Sequence, residues 1–98
     1  MIVDVLDLIV QECDEVARLL IRKNKAYGNS FAEPIHVFSK LTPEQGIRVR
    51  LDDKLKRIAN GYETDEVPED TEEDLIGYLV LLRVLRKIKR LEEAGNDA

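Results

Sequence analysis

Two glutamates in the first part of the chain have a spacing that could support chemistry. Glu12 and Glu15 are three positions apart, so a helix would place both carboxylates on one side. Glu12 lies among Leu8, Ile9 and Val16, where a solvated carboxylate is not expected. This placement favours a ligand role for the pair. The alternative is that both residues border an apolar stripe and extend into water, as charged residues on helices usually do.

A second acidic series has a regular spacing of four. Glu66, Asp70, Asp74 and Tyr78 would form one stripe along a helix. Stacked carboxylates repel one another, and a bound cation is the natural compensation. Because no cluster of cysteine and histidine accompanies them, the hard oxygen ligands indicate Mg²⁺ or Mn²⁺ rather than Zn²⁺. The alternative is an acidic first turn that stabilises the helix dipole.

A basic group lies between these two acidic regions. Lys54 and Arg57 follow Arg50 along one edge of a predicted apolar helix face, and Asp53 is spaced to pair with Arg57. Arginine binds a phosphate bidentately and lysine supplies a point charge, so Lys54 and Arg57 could bind the phosphates of a nucleotide. The alternative is a solvated helix face held by salt bridges.

The segment from Lys23 to Phe31 brings amide, hydroxyl and aromatic groups together at a helix end. It could form a pocket for a base or a sugar, although its aromatic residues could equally anchor a loop. The single histidine, His36, has no second histidine or nearby cysteine to share a metal with, and Cys13 is expected to be a small core residue. The sequence contains no catalytic nucleophile paired with a general base. It also contains no phosphate-binding loop and no dinucleotide-binding fingerprint.

Three helices are predicted to position these residues. Apolar residues recur at spacings of three and four in the first, which is predicted over residues 1–27 and ends at Gly28. A loop over 28–41 follows. The capping box Thr42-Pro43-Glu44-Gln45 predicts a second helix over 42–61. The acidic segment leads into a third helix over 66–92, and a frayed tail over 93–98 is expected after it.

The third helix is apolar on nearly every face between Leu75 and Leu85. A helix tolerates this only when neighbours surround it, and two other helices of one chain are too few. The sequence therefore predicts an all-α fold in which three main helices form a bundle completed by homo-oligomerisation. The simplest form is a dimer in which this helix packs against its symmetry mate.

Length and composition exclude several classes of protein. With 98 residues the chain has room for one domain and no separate cofactor module. A net charge of −5 argues against a general nucleic-acid clamp, so no nucleic-acid polymer is expected as a partner. One cysteine excludes an intrachain disulfide, and no apolar run approaches the roughly 20 residues that span a membrane. These features predict a cytoplasmic protein, located in the host cytoplasm if a phage encodes it.

Three motifs in order along the chain resemble a phage and bacterial family called the nucleotide modification associated domain. They are Lys23-Asn24-x-x-Tyr27-Gly28-x-Ser30-Phe31, Arg50-x-Asp52-Asp53-Lys54-Leu55-x-Arg57 and Glu66-x-x-x-Asp70-Thr71-x-x-Asp74-Leu75-x-x-Tyr78, within about residues 12–85. The pattern is also similar to the MazG-like all-α NTP pyrophosphohydrolases, whose signature is a Glu-x-x-Glu helix followed by a Glu-x-x-Asp helix. Glu12-x-x-Glu15 matches the first half, and the nearest forms of the second are Asp70-x-x-Glu73 and Thr71-x-x-Asp74.

The resemblance implies a role for individual residues: metal ligands Glu12, Glu15, Asp70 and Asp74, phosphate contacts Lys54 and Arg57, and base or sugar contacts Asn24 and Tyr27. It implies a Mg²⁺-dependent (or Mn²⁺-dependent) pyrophosphohydrolase that converts a nucleoside triphosphate, expected to be a deoxynucleotide, into a monophosphate and pyrophosphate. Glu15 is the candidate for orienting the attacking water. Two alternatives stay open. One is a non-catalytic nucleotide-binding or phage accessory module, and the other is a helical oligomer whose acidic and basic stripes pair between subunits.

Overall fold

Three α-helices form the part of the chain that the computed structural model describes, which comprises residues 3–36, 38–64 and 69–96. In chain order they are α1 (Val5–Tyr27), α2 (Pro43–Thr64) and α3 (Glu69–Asn96). The described residues contain no β-strand. The prediction of an all-α protein with three main helices is therefore confirmed.

Both ends of α1 are fixed by local hydrogen bonds. Asp4 caps the amino-terminal end, where its Oδ1 accepts from the backbone N–H of Leu6 at 2.9 Å and of Asp7 at 3.4 Å. At the other end Gly28 has a φ of 58°, and its N–H donates to the carbonyl of Asn24. Glycine adopts this left-handed conformation without strain, so the predicted stop at Gly28 is confirmed. The helix begins later than predicted because residue 4 is its cap, and residues 1–2 lie outside the described residues.

The predicted capping box at the start of α2 is confirmed. The N–H of Thr42 donates to Oε1 of Gln45 at 2.9 Å, and the N–H of Gln45 donates to Oγ1 of Thr42 at 3.2 Å. Pro43 is the first helical residue, as predicted. The helix continues past the predicted end at Gly61, which is buried within it, so this glycine is part of the helix and does not end it.

The third helix is longer at its carboxyl end than the sequence suggested. It includes Glu93, Ala94 and Gly95, which were expected to belong to a frayed tail. Glutamate and alanine both favour helix, and this offsets the cost of the glycine near the end. The predicted start at Glu66 and the last residues, 97–98, lie outside the described residues.

The core lies between α2 and α3. The buried apolar side chains of the described residues are Ile47 and Leu51 on α2 and Leu82 and Leu85 on α3. Packed against them are the partly buried residues Phe31, Ala32, Leu75, Tyr78 and Leu81. Apolar positions from two helices and the first part of the loop therefore form one small cluster.

By contrast, α1 contributes no buried residue. Its predicted core stripe is only half-buried at Val16 and Leu20, whereas Leu6 is 73% exposed and Cys13 is also exposed. The prediction that Cys13 is a core residue is wrong. The reason is that α1 approaches α3 only towards its carboxyl end, where a Cβ added at Gly77 would lie 3.1 Å from Cδ2 of Leu20.

Part of the apolar surface of α3 is not covered within one chain. Ile76 and Leu79 are each 48% exposed, and Leu91 is 63% exposed. No helix in the described part of the chain is both long and apolar enough to cross a membrane. These three side chains therefore leave apolar surface of α3 in contact with solvent.

Candidate functional site

A large cleft lies between α1 and α3, with loop residues 30–36 and 38–42 and the start of α2 along one side. Its volume is about 1340 Å³, and most of its lining is apolar. Small-molecule sites are typically concave and largely apolar with a few polar groups, and this cleft has that composition but exceeds their usual volume of about 300–1,000 Å³. Five of the residues singled out by sequence line this cleft: Glu12, Glu15, Asn24, Tyr27 and Asp74.

Three further sequence candidates, Lys54, Arg57 and Asp70, are not among the residues that line the cleft. Arg57 forms an ion pair with Asp53, with 3.3 Å between Nε and Oδ2, and both side chains are more than half exposed. This is the pairing at a spacing of four that the sequence predicted, and it belongs to a solvated helix face. Asp70 is exposed on α3 and is not among the residues that line the cleft. The structure therefore does not bring Arg57 or Asp70 into the cleft.

Asp74 connects the three helices electrostatically. Its Oδ2 lies 3.0 Å from Nζ of Lys54 on α2, and its Oδ1 lies 3.8 Å from Nζ of Lys23 on α1. The Lys54 side chain is only 13% exposed, and an ammonium group with so little access to water needs a charged partner. The predicted metal ligand Asp74 and the predicted phosphate contact Lys54 therefore neutralise each other in this structure.

A second contact between α2 and α3 involves Arg50. Its Nη1 donates to Oη of Tyr78 at 3.4 Å, and its guanidinium carbon lies 5.8 Å from the centre of the same ring. Both residues line the cleft. A guanidinium group over an aromatic ring is favourable, and it holds the positive charge in place.

The carboxyl end of α1 shapes one end of the cleft. Nδ2 of Asn24 donates to Oδ1 of Asn29 at 2.6 Å, and the carbonyl of Asn24 accepts from the cap residue Gly28. Asn24 is half-buried, whereas Tyr27 is 69% exposed. Asn24 therefore stabilises the turn, and the exposed Tyr27 ring remains accessible to a bound molecule.

The loop adds apolar surface to the cleft. Ile35 is 85% exposed and Phe38 is fully exposed, and both line the cleft. Between them His36 has a φ of 63°, and its Nδ1 lies 3.0 Å from the carbonyl of Ser39. An exposed aromatic ring beside a cleft offers a flat surface on which a nucleobase can stack.

Carboxylates from two helices face this space, but they do not converge on one point. Glu12 and Glu15 line the cleft from α1, and Glu73 and Asp74 line it from α3. Carboxylate oxygens are the ligands that Mg²⁺ prefers. Within residues 3–36, 38–64 and 69–96, however, no three acidic, histidine or cysteine side chains are close enough together to hold a metal ion. The described structure therefore does not bring the four predicted metal ligands together.

Sequence reasoning gave no role to three polar residues of the site. Lys23, Arg50 and Tyr78 all line the cleft. Each of these residues belongs to one of the three sequence motifs. That membership was the only sequence feature that could have indicated a role in the site. The contacts that place these side chains together depend on how the helices pack, and no motif reveals that.

Comparisons with known proteins do not identify what the cleft binds. No protein-family model matches the chain, and neither a curated protein nor a solved structure does.

Proposed function

We propose that the cleft binds a nucleoside triphosphate and that the protein hydrolyses it, in the presence of Mg²⁺ or Mn²⁺, to a monophosphate and pyrophosphate. Deoxynucleotides are the expected substrates. The observation that carries this proposal is that Lys23 and Arg50 line the same cleft as Glu12, Glu15 and the exposed Tyr27 ring. Cations for phosphate, carboxylates for a metal or water, and an aromatic surface for a base are the groups that this reaction needs.

The phosphates would bind to the cationic side chains. Arg50 offers a planar set of donors, and Lys23 offers a point charge. A triphosphate carries several negative charges, so it would compete with Asp74 for Lys23 and Lys54, which lie 3.8 Å and 3.0 Å from that carboxylate. Binding would therefore release the Asp74 oxygens from their lysine partners.

The carboxylates that line the cleft would hold the metal ion. The residues concerned are Glu12 and Glu15 on α1 together with Asp74 on α3. When bound, the ion would supply positive charge next to the phosphate oxygens. Since the described carboxylates do not converge, α1 and α3 would have to come closer together for all three to share one ion.

The chemical step would use Glu15 and a water molecule. The Glu15 carboxylate would accept a hydrogen bond from the water and orient it towards the α-phosphorus. The water oxygen would bond to this phosphorus as one of its protons passes to the Glu15 carboxylate. The bond from the phosphorus to the oxygen that bridges it to the β-phosphorus would break, and pyrophosphate would leave with the electron pair. Asn24 and Tyr27 would contact the sugar or the base, since both line the cleft at the carboxyl end of α1.

A second candidate is a module that binds nucleotide without hydrolysing it. The observation in its favour is the pairing of Asp74 with Lys54 and Lys23, which removes one carboxylate from the proposed metal set. In this case the lysines and Arg50 would still bind phosphate. The two candidates therefore differ in turnover and agree on the ligand.

Melting and product release, measured together, distinguish the candidates. The protein would be melted with a panel of deoxynucleoside and ribonucleoside triphosphates, with and without Mg²⁺, while pyrophosphate is assayed in the same samples. The proposed enzyme should show a Mg²⁺-dependent rise in melting temperature together with pyrophosphate release. A rise without release would favour the binding module. If no nucleotide raises the melting temperature, both the enzyme and the binding module are contradicted. The remaining alternative is then a helical oligomer with no nucleotide ligand.

Two substitutions make the same assay specific for the site. Asp74→Asn and Glu12→Gln should both reduce turnover, whereas Asp52→Asn on the exposed surface of α2 should not. The unfolding of each variant should be checked, because Asp74 is the partner of the nearly buried Lys54. If Asp74→Asn and Glu12→Gln both retain full turnover, the proposed site is wrong.

A further inference from the structure

One face of α3 is only partly covered by the described part of the chain. The α3 stripe, as we name it, consists of five residues at spacings of three or four, which places them on one side of the helix: Glu73, Ile76, Val80, Val84 and Lys87. Ile76 is 48% exposed and Val84 is 39% exposed, and Val80 between them is half-buried. Apolar residues at these spacings are the pattern by which helices pack against each other.

The two ends of this helix carry opposite charges. Near its amino-terminal end, α3 carries acidic side chains. Towards its carboxyl end it carries five basic side chains: Arg83, Arg86, Lys87, Lys89 and Arg90. None of the ion pairs among the described residues involves these basic side chains, and none involves Glu73. The positive end of α3 therefore has no acidic counterpart within the described part of its own chain.

We propose that two copies of the chain associate through the α3 stripe with their α3 helices antiparallel. This arrangement places the acidic part of one helix against the basic part of the other, whereas a parallel pair would place like charges together. With Val80 at the two-fold axis, Glu73 of each copy lies opposite Lys87 of the other. Ile76 likewise lies opposite Val84, so an apolar centre has an ion pair at each end.

The stripe is suited to a second copy because it is symmetric about Val80. Ile76 and Val84 are each four positions from Val80, and Glu73 and Lys87 are each seven positions from it. A two-fold interface uses the same patch on both subunits, so each residue must find its complement within that patch. A partner of another sequence would not require this symmetry. The inference rests on the spacing and charges of the stripe and not on nucleotide binding, and a second copy would lie along the side of the cleft that Glu73, Ile76 and Val80 line.

Charge reversal tests the proposed pairing. Lys87→Glu and Glu73→Lys should each raise the dissociation constant of the dimer about tenfold, because each creates two repulsive contacts per dimer. The combined variant should restore the affinity of the natural chain, since it exchanges the charges of both pairs. Lys56→Glu, an exposed change on α2, controls for net charge and should have no effect. Sedimentation equilibrium measures the dissociation constants of these four variants, and circular dichroism checks that each variant remains helical.

Disulfide cross-linking tests the orientation. In a Cys13→Ser background, Ile76→Cys and Val84→Cys proteins should cross-link when mixed but not separately, because antiparallel helices place these positions opposite each other. Efficient cross-linking of either variant alone would indicate parallel helices and overturn the proposal. A monomer at every protein concentration would overturn it as well, and so would a dimer that neither charge reversal weakens.

Discussion

Replacing Glu15 by glutamine should lower the rate of pyrophosphate release by about 100- to 10,000-fold. In the proposed reaction its carboxylate orients the attacking water and accepts a hydrogen bond from it. Glutamine has nearly the same shape, but it is a much weaker acceptor and takes up no proton. The measurement is kcat in a coupled pyrophosphate assay at saturating nucleotide and Mg²⁺.

The neighbouring residue provides a matched control for this substitution. Asp14 is exposed on α1 and is not among the residues that line the cleft, so Asp14→Asn should retain the natural rate. Both changes remove one negative charge from the same helix. Equal rates for Glu15→Gln and Asp14→Asn would show that Glu15 has no special part in the reaction.

Replacing Leu82 by alanine should lower the free energy of unfolding by about 2–5 kcal/mol. Leu82 is 7% exposed and packs with Ile47, Leu51 and Leu85, so its loss leaves a cavity between α2 and α3. This is a large share of the roughly 5–15 kcal/mol that stabilises a typical protein. Urea unfolding followed by circular dichroism gives the change.

Leu79→Ala is the control for the core substitution. Leu79 is on the same helix but is 48% exposed, so the same chemical change should cost less than about 1 kcal/mol. The comparison separates burial from helix propensity, since both variants place alanine in α3. Similar losses at the two positions would mean that the core does not lie between α2 and α3.

The ends of the helices could be predicted from sequence where a local hydrogen bond decides them. Thr42 and Gln45 exchange two hydrogen bonds over three positions, and Gly28 ends α1 in a conformation that favours glycine. Such interactions involve only neighbouring residues. The same holds for the ion pair between Asp53 and Arg57 at a spacing of four.

Burial could not be predicted in the same way. Periodicity shows that one side of α1 is apolar, but it does not show which element covers that side. In the structure, α1 meets α3 near Leu20 and Gly77, and Leu6 and Cys13 remain exposed. The error over Cys13 follows from treating an apolar stripe as a buried one.

In the candidate site, many of the residues could be predicted from sequence, but the contacts between them could not. Sequence selected Glu12, Glu15, Asn24, Tyr27 and Asp74, and all of them line one cleft. It did not predict the contact between Lys54 and Asp74, because their distance of 3.0 Å depends on how α2 packs against α3. Two residues that were assigned to phosphate and to metal can neutralise each other once their helices are in contact.

Binding of a nucleoside triphosphate in the cleft between α1 and α3 is the central requirement of the proposed function. Its most direct test is to titrate the ¹⁵N-labelled protein with Mg²⁺ and a deoxynucleoside triphosphate and to follow every backbone amide by NMR. Saturable shifts at Lys23, Asn24 and Asp74 are the predicted result. Shifts confined to the basic end of α3, from Arg83 to Arg90, would contradict the claim, because they would show that phosphate binds to the exposed positive charges and not to the cleft.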